Sequence, residues 1–239
     1  MSSQEPMSRS GMIARADIPN DVLTVWVRRG LVRPIYAPAG TGRHLRFEWY
    51  EANIAAVMSQ LRQFGMSVDG MLSVAATFRE AITWAASYDL DRDAVFALWS
   101  VFNIYADYRR DQDDEELERS LQSMSCKSVH GAQGVTDQIR TIHAAMPEEE
   151  FRRHLDPFLS ITQQPTADDL DRSGDPDTDW GDEGELTYIW KSAEADAYRF
   201  AWGRQAPQMA RKSGALAMIA IDISAVLYGV WNRPENEAQ

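Results

Sequence analysis

Gly30, Pro34, Pro38, Gly40 and Gly42 fall within a short stretch and forbid a continuous helix there. The sequence on either side is helical. In Asn20–Arg29, Leu23, Trp26 and Val27 recur at i, i+3 and i+4, which predicts a stripe buried on one helical face. Asn20 or Asp21 can cap that helix, and Gly30 suits a left-handed stop. Residues 12–75 therefore read as short helix, turn, second helix, two-stranded ribbon over 32–47 with a glycine-rich tip, and two further helical segments. Everything else in the chain is attached to that stretch.

Cations cluster on it. Arg28 and Arg29 close the last turn of the second helix, where positive charge suits the helix dipole and can reach phosphates. Arg33, Arg43, His44 and Arg46 stand on or beside the ribbon. Ordinary solvated arginines would account for each one singly. Their order and spacing favour a surface for DNA.

Three stretches resemble the winged helix-turn-helix of MerR-type transcriptional regulators. Leu23-Thr24-Val25-Trp26-Val27-Arg28-Arg29-Gly30-Leu31-Val32 is similar to the family's second helix and its glycine stop. Gly42-Arg43-His44-Leu45-Arg46-Phe47 is similar to its wing, and Leu61-Arg62-Gln63-Phe64-Gly65-Met66-Ser67-Val68-Asp69 to a later turn. The resemblance covers about a quarter of the 239 residues. It implies insertion of Asn20–Arg29 into the major groove of double-stranded DNA, with wing residues 36–46 straddling the adjacent backbone. Asn20, Asp21, Thr24, Val25, Arg28, Arg29, Arg33, Arg43, His44 and Arg46 are the DNA-facing positions that follow. RNA polymerase or another regulatory protein is a further implied partner. The family carries Arg and Tyr where this chain has Thr24 and Val25, and the link Ala16-Asp17-Ile18 is about one residue shorter. The fold is implied; inherited base contacts are not.

Charge divides the chain. Net charge is −12, yet residues 1–79 carry +3 and the remainder −15, which suits a basic reading head on an acidic body. A head of +3 supplies few phosphate contacts alone, so a homodimer is expected. Three lysines stand beside twenty-one arginines, the bias of a GC-rich bacterial genome. Cys126 is the only cysteine, which excludes an internal disulfide and points to a reducing cytoplasm. Residues 1–15 lack the apolar core of a signal peptide. The most apolar run, 215–231, is short for a membrane span and holds Asp222, so a buried core helix is expected instead.

The expected class is mainly α: an N-terminal winged helix-turn-helix with a small β-hairpin wing, then an α-helical C-terminal domain. Residues 1–9 read as loose and 10–77 as the DNA-binding domain. Residues 78–162 read as helical, with a helix over 77–87, a break at 89–91 and an aromatic amphipath over 92–110. Trp99, Phe102 and Tyr105 on that amphipath are the expected dimerisation seam; packing within one subunit is the alternative. Residues 148–159 read as another helix. Residues 163–185 hold nine acids against Arg172 and read as a disordered acidic loop, either a solubilising linker or a competitor of DNA for the basic head. Residues 186–202 and 207–231 read as two further helices.

Chemistry is sparse. The spacing of Cys126, His130, His143 and His154 matches no strong zinc pattern, so no metal is expected. Asp222 is the one candidate for a buried carboxylate. No phosphate-cradling loop, nucleophile elbow or zincin helix occurs, so neither an enzyme nor a cofactor is expected. The rivals to a regulator are an excisionase- or partition-like architectural DNA-binding protein and a protein-interaction adaptor whose winged helix no longer touches DNA.

Overall fold

In the computed structural model, Ser8 starts the first helix: its hydroxyl accepts the Gly11 N–H at 3.1 Å, capping α1 (Arg9–Ala16). Asp17, in the left-handed region at φ 52°, ends it. The structure describes residues 5–35, 45–92, 94–95, 148–165, 186–193, 198–202 and 206–232. They divide between two compact units, one of residues 2–79 with 160–239 and one of residues 80–159.

In the first unit, the cap of α2 (Asn20–Arg29) falls one residue ahead of Asn20 and two ahead of Asp21, the two expected caps. Pro19 takes the cap position with its carbonyl accepting Leu23 N–H at 3.0 Å, and no side chain caps the helix. Asn20 is engaged elsewhere, as described below. Gly30 stops α2 at φ 77°, and its N–H returns to the helix's last carbonyls. A residue with a Cβ would be strained there.

The ribbon has three strands where two were expected. β2 (Pro34–Ile35) pairs antiparallel with β3 (Arg46–Phe47), and β1 (Met7–Ser8) pairs with the other edge of β3, in the order β1-β3-β2. Residues 5–8, read as loose, are held by that pairing and by Arg46 Nη1, which donates to the Pro6 carbonyl at 3.3 Å. The expected tip, with Arg43 and His44, lies outside the described residues.

α3 (Trp49–Gln63) and α4 (Val68–Ser87) follow, joined through Gly65 and the Ser67 hydroxyl, which accepts Gly70 N–H at 3.1 Å. Leu23, Leu31, Phe47, Ile54, Met58, Leu61 and Met71 are fully or almost fully buried. Each such side chain contributes roughly 1.5–3 kcal/mol of burial.

The C-terminal part of this unit corrects the expectation of helices alone. Residues 186–202 are a hairpin of β4 (Leu186–Lys191) and β5 (Tyr198–Trp202). Residues 207–231 are no single helix: they run through α6 (Ala206–Lys212), β6 (Met218–Asp222) and α7 (Ile223–Asn232). The sheet is antiparallel with order β5-β4-β6. Side chains of β4 and β5 pack on both of its faces, while Met218 and Ala220 of β6 are exposed. Tyr188, Trp190 and Ala201 pack with Ala206 and Ala210 of α6, and the Trp190 indole donates to Ser213 Oγ at 2.7 Å. On the other face Phe200 meets Phe78 of α4, with ring centroids 5.0 Å apart. Gly70 permits the approach of α4: a Cβ there would stand 2.9 Å from Tyr198 Oη. Burial on both faces of β4 erases the polar alternation that announces a strand. Asp222 is likewise corrected: it is no buried mid-helix carboxylate but the residue whose Oδ1 accepts Ala225 N–H at 2.8 Å, starting α7.

α7 closes over α1 and α3. The Arg15 guanidinium lies 4.8 Å from the Trp231 ring centroid and donates to the Val230 carbonyl at 3.3 Å. Trp231 Nε1 donates to Asn53 Oδ1 at 3.0 Å, and Asn53 Nδ2 donates to the carbonyls of Ile161 (2.7 Å) and Gln163 (3.2 Å). Asn53 is fully buried, so every one of those bonds counts.

The second unit is described over residues 80–92, 94–95 and the part of α5 (Glu148–Ile161) that precedes Ser160. Among its described residues, Trp84 is met edge-on by Phe151 at 5.7 Å, and His154 stacks on it at 5.5 Å. The expected seam of Trp99, Phe102 and Tyr105, together with Cys126, His130, His143 and residues 166–185, lies outside the described residues. The fold is mainly helical with two small antiparallel sheets. Among the described residues no helix is long and apolar enough to cross a membrane.

Candidate functional site

α2 has one side committed to the core and one to water. Leu23 and Trp26 are buried. Asn20, Asp21, Thr24, Val25, Arg28 and Arg29 are exposed, on the ridge that helical spacing builds from pairs four residues apart. Val25 is 50% exposed although apolar, so packing does not explain its place. Arg28 and Arg29 make no hydrogen bond or ion pair with a described residue. Of the expected site residues, the structure brings these six together on one helix, with Arg33 exposed just beyond its end and Arg46 exposed on β3.

Arg9 was not foreseen, and it organises the N-terminal half of that ridge. From the first position of α1 its Nε donates to Asn20 Oδ1 at 2.9 Å. Its Nη2 donates to the Asn20 carbonyl at 3.2 Å and to Thr24 Oγ1 at 2.6 Å. The Thr24 hydroxyl in turn donates to the Asn20 carbonyl at 2.7 Å. Nothing in a one-dimensional reading links position 9 with positions 20 and 24; only the turn between the helices does.

A second unforeseen group fixes the stretch that leaves α2. Glu51 is 2% exposed and forms a two-pronged ion pair with Arg79, Nε to Oε1 and Nη2 to Oε2, both at 2.7 Å. Glu51 Oε2 also accepts the Arg33 N–H at 2.9 Å, and Arg79 Nη2 donates to the Leu31 carbonyl at 2.6 Å. The segment from Leu31 to Arg33, which leads from the ridge into β2, is thereby bound to α3 and α4. One sign was legible: Glu51 is an acid standing just before the stretch Ala52–Met58, apolar but for Asn53. Beside it, burial first and then the carboxylates of Glu51 and Glu48 push the Tyr50 phenol above its usual value.

The arrangement can donate hydrogen bonds and positive charge to a polyanion lying along α2. Among the described residues no cluster of His, Cys, Asp and Glu could hold a metal ion. Compared with known protein families and with curated proteins, the chain has no match.

Proposed function

We propose that the chain is a sequence-specific DNA-binding regulator, with a MerR-like winged helix-turn-helix that lays Asn20–Arg29 in the major groove. The observation that carries the reading is the outer face of α2, where Arg28 and Arg29 are exposed without a partner among the described residues. A helix anchored on one side, with cations in its last turn and an adjoining β-ribbon, suits the groove and its phosphates. Arg33 and Arg46 lie where the ribbon would meet backbone. The functional species in this reading is a homodimer, since one head of +3 offers few of the phosphate contacts that specific binding uses. RNA polymerase or another regulatory protein is the partner such a regulator would address.

The test is binding of the full chain to mixed-sequence duplexes across a salt series. Log affinity should fall linearly with log salt, by a slope of about 0.9 per phosphate contacted. A folded chain that binds no duplex, or binds with no salt dependence, would overturn the reading.

Half-exposed Val25 supports a second reading, an adaptor that docks protein on the same ridge. Val25→Lys separates the two: added charge strengthens binding to DNA and weakens binding to an apolar protein surface.

A further inference from the structure

Arg9 consumes hydrogen-bond acceptors on the ridge. Its donor must face an oxygen, so the bond from Nε settles the orientation of the Asn20 amide with Oδ1 turned to Arg9. The Asn20 carbonyl takes both Arg9 and the Thr24 hydroxyl, and Thr24 Oγ1 takes Arg9. Left over beside Asn20 and Thr24 are the Asn20 Nδ2 donors, the Arg9 Nη1 donors, the Thr24 methyl and the Val25 side chain, with the exposed Asp21 carboxylate the remaining side-chain acceptor one position on. The Asn20–Thr24 side of the ridge has been made donor-rich and methyl-bearing by one residue from another helix.

In the major groove, guanine shows two acceptors, N7 and O6, and thymine shows an O4 acceptor beside a methyl. Cytosine and adenine each show an amino donor there. We propose that Arg9 is a specificity-determining residue: by occupying the acceptors of Asn20 and Thr24, it tunes α2 to guanine and thymine edges on one strand. This rests on the DNA-binding reading above. Released from Arg9, Asn20 would offer both oxygen and amide, the pair that matches N6 and N7 of adenine.

The experiment is selection of duplexes from a random pool by the full chain and by its Arg9→Ala and Arg9→Lys variants. The unaltered chain should enrich guanine or thymine at two or three adjacent positions. Arg9→Ala should shift those positions toward adenine, by about tenfold in relative affinity, as loss and gain of a base contact would give. Arg9→Lys keeps the charge but cannot span both oxygens, so it should blur the preference while the salt slope stays unchanged. If Arg9→Ala fails to fold by circular dichroism, Arg9→Lys decides alone. Enrichment of the same bases by the chain and its folded variants overturns the proposal and leaves DNA binding standing. So does uniform weakening with unchanged preference, which would make Arg9 a phosphate contact. An unaltered chain that enriches no duplex overturns the DNA reading and this inference with it.

Discussion

Arg28 and Arg46 differ from Arg79 in what surrounds them, and substitution should expose the difference. Both are exposed, and neither enters the buried side of its element. Arg28→Ala and Arg46→Ala should weaken DNA binding across sequences while shifting stability by about 0.5 kcal/mol or less. Paired melting curves and binding isotherms check this; a sharply lowered melt would make either arginine structural. Tyr50 responds to pH instead. Its phenol is raised above 10.0 in the fold, chiefly by burial, so the folded state favours the neutral form. The associated stability is complete below the unfolded pKa near 10 and is lost as pH climbs through the higher folded value. Urea titrations from about pH 9 upward should show stability falling in the unaltered chain and falling less in Tyr50→Phe. Equal alkaline loss in both would place the cause elsewhere.

Among the elements, α3 carries the polar residues on which its neighbours depend. Arg79→Ala should cost about 3–5 kcal/mol, because it strands the buried Glu51 carboxylate and releases the Leu31 carbonyl. Arg79→Met together with Glu51→Gln should cost less than Arg79→Ala alone, since no buried charge is then orphaned. Chemical denaturation of the set measures that coupling, and a double variant worse than the single would refute the assignment. Asn53→Leu keeps the number of side-chain heavy atoms but leaves two carbonyls and the Trp231 indole unpaired, at roughly 1–3 kcal/mol each.

The elements were legible in the sequence where local chemistry alone decides. Gly30 in the left-handed region, the Leu23 and Trp26 stripe, and the Ser67 turn are all settled within a few residues of themselves. The hairpin of β4 and β5 was not, because Ile189 and Phe200 are buried on one face and Trp190 on the other, and a strand without a wet face resembles a helix. The roles of Arg9 and Asn53, and the partner of Glu51, were hidden for a different reason: the partners stand 11 to 178 positions away.

At the scale of the molecule, the helices that bear the ridge share one compact unit with residues 160–239. Removing α7 should therefore uncover Trp49, which meets Trp231 at 6.1 Å, and open the Asn53 bonds. A chain shortened at Asp222 is expected to melt well below the full chain and to expose apolar surface to a reporter dye. Unchanged melting would mean that α7 is an ornament on a self-sufficient head. The same feature has a consequence for birth on the ribosome. Residues 80–159 must be made before the partner of the first segment exists. At about 5–20 residues per second, the nascent helices wait roughly ten seconds or more with Trp49 and Asn53 wet. A stall in that interval would leave a product that a chaperone or protease meets as unfinished, so slower elongation through residues 80–159 should lower the yield of intact protein.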